Sequence, residues 1–138
     1  MSSITVWFIR LAIMYFVLAI ILGLHMSVAG PVYPWMPIHT HFNLLGWMSM
    51  MIYGVAYHIL PRFSGRQLFS DKLAFWQLWL ANIGLVGMAL GWYLRSESGN
   101  STVLLIFSLV ETVSIVFFAV NMLATVKPAP APPAPAKK

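Results

Sequence analysis

The sequence predicts an all-α membrane protein: a bundle of four transmembrane helices with both chain ends on the cytoplasmic side. Of its 138 residues, 60% are hydrophobic and only 8% are charged, whereas a soluble domain carries about a quarter charged residues. The chain also contains four apolar runs of the ~20 residues that a helix needs to cross a bilayer. It has no cysteine, which excludes disulfides, thiolate metal sites, iron–sulfur clusters and covalently attached haem.

The four apolar runs define the helices in order. We predict spans at residues 4–28, 38–60, 73–94 and 102–126. They form one membrane domain over residues 1–127. Gly30-Pro31 ends the first span, Pro37 suits the start of the second, and Pro61 follows its end. The alternating Ala/Pro tail, residues 128–138, is predicted to be disordered.

The positive charges lie next to the apolar runs, so they indicate topology and contact with the lipid bilayer rather than nucleic-acid binding. Only Arg95, beside Glu97, lies in the segments assigned to the outside. Lysine and arginine favour the cytoplasmic side of a membrane. The second loop and the tail, which we therefore place inside, carry Arg62, Arg66, Lys72, Lys127, Lys137 and Lys138.

All four histidines lie in or beside the first two spans. His25, His39 and His41 are at the outer ends of these spans, and His58 is at the opposite end of the second. Neutral imidazole is the commonest metal ligand, and ionisable residues within membranes usually have a function. The pattern therefore favours metal or haem ligation, and the alternative is interfacial histidines bonded to water or loop carbonyls.

Helix geometry limits which histidines can act together. His39 and His41 lie ~200° apart around a helix, so they serve sites on opposite sides of it. His58 is ~25 Å from His41 along the axis and cannot share its site. His25 has a similar depth, but packed helices are ~8–10 Å apart, which is tight for a haem between two imidazoles. A ligand from another subunit is therefore plausible.

The stretch HTHFNLLGW, from His39 to Trp47, continues to Tyr53-Gly54 and to YHILPR at residues 57–62. It resembles the second helix of haem-copper oxidase subunit I, the family of the oxygen and nitric oxide reductases, and the resemblance covers roughly residues 5–65. In that family a histidine near the outer end of this helix ligates low-spin haem. The resemblance implies haem b, with His41 as the principal axial ligand and His39 or His25 as its companion.

The chain also departs from the family. Subunit I has about twelve helices, and its copper site uses histidines on further helices, whereas the third and fourth spans here have none. We therefore do not expect a complete oxygen-reducing centre within one chain, and whether the protein is an enzyme stays open. The family arranges its helices in three arcs of four, so the resemblance implies a homo-oligomer, with a trimer favoured over a dimer, in a bacterial inner membrane.

Three functions fit these observations. The first is a b-type haem protein that transfers electrons, with a redox protein or a quinol as partner, or binds a gas such as nitric oxide or oxygen. The second is a copper-binding membrane protein, because imidazole and thioether ligands suit copper; the ligands would be His25, His39, His41 and Met36. The third is a small accessory subunit of a respiratory complex.

Several further residues are candidates for a function. Glu111 lies near the middle of the fourth span, where a carboxylate is a functional candidate, or is a protonated group bonded to a neighbouring helix. Asn82 has the same two interpretations, a functional group or a side chain bonded to a neighbouring helix. His58 and Arg95 are the other functional candidates. A stripe of small residues on the third span permits close approach either within the chain or between chains; it consists of Gly84, Gly87 and Gly91.

Overall fold

Four long helices, joined by short connections, make up the computed structural model, which describes residues 1–30 and 32–128. All four are long and apolar enough to cross a membrane, so the predicted fold class is confirmed. The inside location of both ends stays a prediction, and most of the predicted disordered tail lies outside the described residues. The helices are α1 (Ser3–Ala29), α2 (Trp35–Phe63), α3 (Asp71–Ser98) and α4 (Thr102–Thr125).

Local signals set the helix ends. The Ser2 hydroxyl accepts a hydrogen bond from the Thr5 N–H at the start of α1, and Ser70 caps α3 in the same way. Gly99 ends α3 with a φ of 70°, a left-handed conformation that glycine adopts without strain. We call the end of the bundle that contains Ala29, Trp35 and Ser98 the histidine end, and the opposite end the terminal end.

The second helix differs from its prediction in two ways. It begins at Trp35, and Pro37 lies in the first turn, where a missing N–H costs no helical bond. It also continues through Pro61 to Phe63, so the predicted end at residue 60 is too early. Pro61 removes one backbone bond within the last turn, and the Ser64 N–H still donates to the Leu60 carbonyl.

A π-helical segment interrupts α2 directly after His41. It covers Phe42–Ser49, where hydrogen bonds run from residue i to i+5. Gly46 lies within it and is buried against Tyr15 of α1: a Cβ at this position would lie 2.6 Å from the Tyr15 Cβ. The close approach of α1 and α2 therefore depends on glycine here.

The bundle consists of two helical hairpins, α1–α2 and α3–α4, and α3 also contacts α1 and α2. Of the described helices, only α1 and α4 make no close backbone approach to each other. The glycine stripe of α3 faces α4 of the same chain, at Glu111, Phe107 and Leu104. Of the two alternatives left open by the sequence, close approach within the chain is therefore the one that the structure shows, because α4 occupies the space beside the stripe.

Candidate functional site

His41 is held by its own helix in a way that leaves one ring nitrogen free. Its Nδ1 lies 2.8 Å from the Pro37 carbonyl. A carbonyl can only accept a hydrogen bond, so Nδ1 carries the proton and Nε2 carries a lone pair. Among the described residues, nothing forms a hydrogen bond with Nε2. The ring packs on the indole of Trp92 with centroids 4.3 Å apart.

His39 faces the other way, and both of its ring nitrogens are used inside the chain. Nδ1 donates to the Ala19 carbonyl of α1 at 2.8 Å. Nε2 lies 3.2 Å from the Asn43 amide nitrogen, which donates to it. Gly23 makes room for the ring, because a Cβ there would lie 3.1 Å from the His39 Cε1. His39 therefore joins α1 to α2.

His25 is exposed near the end of α1 and meets Trp35 edge-on, with ring centroids 6.0 Å apart. Met36 is also exposed. Within residues 1–30 and 32–128, no three histidine, aspartate or glutamate side chains lie close enough to hold a metal ion. The copper ligands predicted from the sequence are therefore not assembled within one chain.

The remaining ionisable candidates lie apart from His41. His58 is at the terminal end, where its Nε2 accepts a hydrogen bond from Arg62 at 2.9 Å and borders a polar pocket of about 440 Å³. Arg95 is exposed in the last turn of α3. Glu111 is buried, and its Oε2 has no partner in the described chain.

Asn82 has a structural role. Its Oδ1 accepts from the Tyr15 hydroxyl at 3.0 Å, and its Nδ2 donates to the Leu78 carbonyl of its own helix. The side chain thus joins α3 to α1, and both its oxygen and its nitrogen take part in a hydrogen bond within the chain. The structural alternative stated for Asn82 therefore fits these contacts.

Sequence reasoning missed the neighbours of the two central histidines. Asn43 follows His39 by four residues, a spacing that places both on one helical face and that would have revealed the pair. Trp92 reads as an interfacial aromatic because it lies near a span end, yet it is only 8% exposed. No local signal indicates its contact with His41, because the two residues are on different helices.

Among the histidines of the described residues, His41 combines a ring fixed by its own helix with an Nε2 that has no hydrogen-bond partner. A bond from Nδ1–H to a backbone carbonyl is the usual outer partner of a ligating histidine, since it fixes the ring and raises its basicity. His41 has this arrangement. His39 would need to lose its bond from Asn43 before it could bind a metal, and His25 is free but exposed on another helix.

The comparisons with known proteins point to an oxidase family. The family model described as "Cytochrome C and Quinol oxidase polypeptide I" matches residues 33–96, a range that includes His39, His41, His58 and Trp92. No solved structure matches the chain.

Three bacterial relatives show the same similarity. Cytochrome c oxidase subunit 1 of Rhodobacter capsulatus is 45% identical over 53 residues, which is 38% of this chain and 10% of the relative. A subunit 1 homologue of Agrobacterium tumefaciens is 32% identical over 91 residues, 60% of this chain and 17% of the relative. The Cbb3-type subunit CcoN1 of Stutzerimonas stutzeri is 35% identical over 88 residues, which is 56% of this chain and 18% of the relative. The chain thus spans less than a fifth of the length of these relatives.

Proposed function

We propose that this chain, a short membrane relative of cytochrome c oxidase subunit I, is a b-type haem protein in which His41 supplies an axial ligand. The observation that carries the proposal is the hydrogen bond from His41 Nδ1 to the Pro37 carbonyl, which leaves Nε2 without a partner. Bound haem supplies one-electron chemistry or, with an open iron position, a binding site for nitric oxide or oxygen.

The chain's own residues hold and shield the ligand. The Pro37 carbonyl fixes the direction of the His41 ring, because a rotated ring would lose this bond in an apolar environment. Trp92, which is buried, covers one side of the ring from α3. Burial and the partners of an axial ligand are the main ways in which a protein tunes haem iron.

If a second residue also held the haem, we expect it to come from another chain. His39 is engaged by Ala19 and Asn43, so its use would cost two hydrogen bonds, whereas His25 is exposed and has no such bonds to lose. We therefore favour His25 of a neighbouring chain. Three chains would reproduce three arcs of four helices, so a trimer is favoured over the otherwise commoner dimer. The similarity to bacterial oxidase subunits supports the bacterial inner membrane as the proposed location.

The absorption spectrum of protein purified from haem-replete cells tests the ligand. His41→Ala should remove or strongly change the Soret band, because it deletes the proposed iron ligand while His39 stays bonded to Ala19 and Asn43. His58→Ala is the matched control: it deletes the same side chain at the terminal end and should leave the band unchanged. A His41→Ala protein with the wild-type spectrum would refute the assignment.

Co-expression tests the shared site. Chains with His41→Ala and chains with His25→Ala should each lack the wild-type spectrum alone. Mixed oligomers should recover part of it, because a chain that keeps His41 then meets a neighbour that keeps His25. Ligands shared in this way would be ruled out if oligomers shown to contain both chains recovered none of the spectrum. They would also be ruled out if native mass measurement found haem bound to a monomer.

A further inference from the structure

The polar pocket of about 440 Å³ at the terminal end lies between the start of α1, the end of α2 and the start of α3. Its volume is within the usual range of ligand sites, ~300–1,000 Å³. Seven of its ten lining residues have polar side chains, and they include both a guanidinium, that of Arg62, and a carboxylate, that of Asp71. The pocket therefore suits a polar ligand that carries charge.

The pocket lies at the depth of the lipid headgroups. At a rise of ~1.5 Å per residue, the 29 residues of α2 extend over ~43 Å, about 13 Å more than the hydrocarbon core of a bilayer. A centred helix therefore reaches ~6 Å, or about four residues, past the core at each end. Arg62 lies in this part of α2, one residue before the helix ends at Phe63.

The chain itself fixes the walls of the pocket. On the α2 side Tyr57 is buried, and its hydroxyl donates a hydrogen bond to the Gln77 side chain of α3. On the opposite side the residues before α3 are tied to α4. The Ser70 N–H donates to the Asn121 Oδ1 at 3.0 Å, and the Asn121 Nδ2 donates to the Ser70 carbonyl at 2.8 Å. A pocket that is already formed costs a ligand less ordering entropy.

Most of the donors of Arg62 are free. One N–H donates to the His58 Nε2 at 2.9 Å, and this is the only hydrogen bond of the guanidinium within the described residues. A guanidinium has five N–H donors in a planar fork that matches phosphate oxygens. Since the Nε2 of His58 accepts a bond, its Nδ1 carries the ring proton and is a further donor. Arg62 and His58 therefore suit a phosphate.

Asp71 adds a negative charge to the same pocket. It is the exposed first residue of α3, and no hydrogen bond within the described residues reaches its carboxylate. An acidic residue stabilises a helix start, which accounts for its position. Its charge, however, would repel a phosphate that had no positive group of its own. A free guanidinium and a free carboxylate together fit a ligand with both a phosphate and an ammonium group.

An apolar groove of about 340 Å³ runs along α2 next to this pocket and is lined by six apolar residues between Met51 and Leu60. Two of them, Val55 and Ile59, are spaced at i and i+4 from each other, and Arg62 is at i+7. This spacing places all three on one face of the helix. A molecule whose phosphate contacts Arg62 can therefore lay an acyl chain in the groove, whereas free phosphate would leave the groove empty.

We infer that the pocket and the groove together bind a phospholipid with a primary ammonium in its headgroup, as in phosphatidylethanolamine. The phosphate accepts hydrogen bonds from Arg62 and His58, and the ammonium donates to Asp71. A primary ammonium has three N–H donors, whereas the quaternary ammonium of phosphatidylcholine has none and the headgroup of phosphatidylglycerol has no positive charge. The site is at the opposite end of the bundle from His41 and does not depend on haem binding.

Native mass measurement of the full chain, freed of lipid in mild detergent and mixed with one lipid at a time, tests the inference. Phosphatidylethanolamine should bind about fivefold more tightly than phosphatidylcholine, which corresponds to ~1 kcal/mol for one partly exposed ion pair. Asp71→Asn should remove this preference and strengthen the binding of phosphatidylglycerol. Arg62→Gln should weaken the binding of all three lipids.

Matched controls remove the same charges outside the pocket. Arg66→Gln and Glu97→Gln should bind lipid like wild type, and all four substituted residues are exposed, so the fold tolerates the changes. Equal binding of the three lipids by the wild-type chain would overturn the inference. It would also fail if Arg66→Gln weakened binding as much as Arg62→Gln, because any surface cation would then suffice. Inorganic phosphate that bound through Arg62 where phosphatidylethanolamine did not would identify free phosphate as the ligand instead.

Discussion

Replacing Gly91 by alanine should weaken the protomer by forcing α3 and α4 apart. The added Cβ would lie 2.6 Å from the Leu104 Cα and 2.7 Å from the Leu104 backbone nitrogen. Non-bonded carbons sit ~3.5–4.0 Å apart, so relief requires a displacement of ~1 Å. Because the contacted atoms are backbone, no side-chain rotation can provide it, and the helix itself has to move.

Two opposing contributions set the size of the effect. Overpacking a close contact costs ~1–3 kcal/mol, and a gap of ~1 Å weakens neighbouring contacts, including the one between Gly87 and Phe107, by up to about half. Alanine regains up to ~1 kcal/mol of helix propensity relative to glycine. We expect a net loss of ~2 kcal/mol, a roughly 30-fold change in the unfolding equilibrium constant.

The assay is equilibrium unfolding in mixed micelles, followed by helical circular dichroism and paired with native mass measurement. Leu90→Ala is the control, because Leu90 is the preceding residue on α3 and its side chain is exposed; it should change the free energy of unfolding little. A Gly91→Ala protein with unchanged protomer stability but a dissociated oligomer would refute the reasoning. The glycine stripe would then pack against another chain rather than against α4.

Two other predictions use single substitutions. A cysteine at Ser98, which is exposed, should react with an impermeant thiol reagent added outside intact cells. A cysteine at Gln67, also exposed, should react only after permeabilisation, and the reverse pattern would invert the topology. Trp92→Ala should shift and broaden the haem band without abolishing it, because His41 keeps its bond to the Pro37 carbonyl but loses the ring that packs on it. An unchanged spectrum would show that Trp92 does not order the ligand.

Hydropathy predicted the four helices because burial in lipid requires long apolar runs, and this requirement is local in sequence. Helix ends were less predictable. Pro61 predicts the end of a helix, but a proline in a last turn removes only one hydrogen bond, and the helix continues to Phe63. The π-helical segment at Phe42–Ser49 was not predicted, because no local composition distinguishes it from an α-helix.

The candidate site was predictable only where it depends on one helix. The opposite directions of His39 and His41 follow from helical spacing. The partner of each ring lies on another helix, Ala19 on α1 for His39 and Trp92 on α3 for His41, and no spacing rule reaches between helices. Whether the glycine stripe packs within the chain or between chains likewise depends on which helix lies beside it. The sequence therefore left both alternatives open.

The π-helical segment has a consequence for how the direction of His41 is determined. Each i→i+5 hydrogen bond spans one more residue than an α-helical one, so Phe42–Ser49 accommodates an extra residue within a continuous helix. Deleting one residue there would restore α-helical hydrogen bonding without breaking the span. If the segment instead kept all its residues and adopted α-helical hydrogen bonding, the histidine end would turn by ~100° relative to Tyr53 and Tyr57. The direction in which His41 points around the helix axis therefore depends on the number of residues in the π-helical segment. Its contact with Trp92 depends on that number as well.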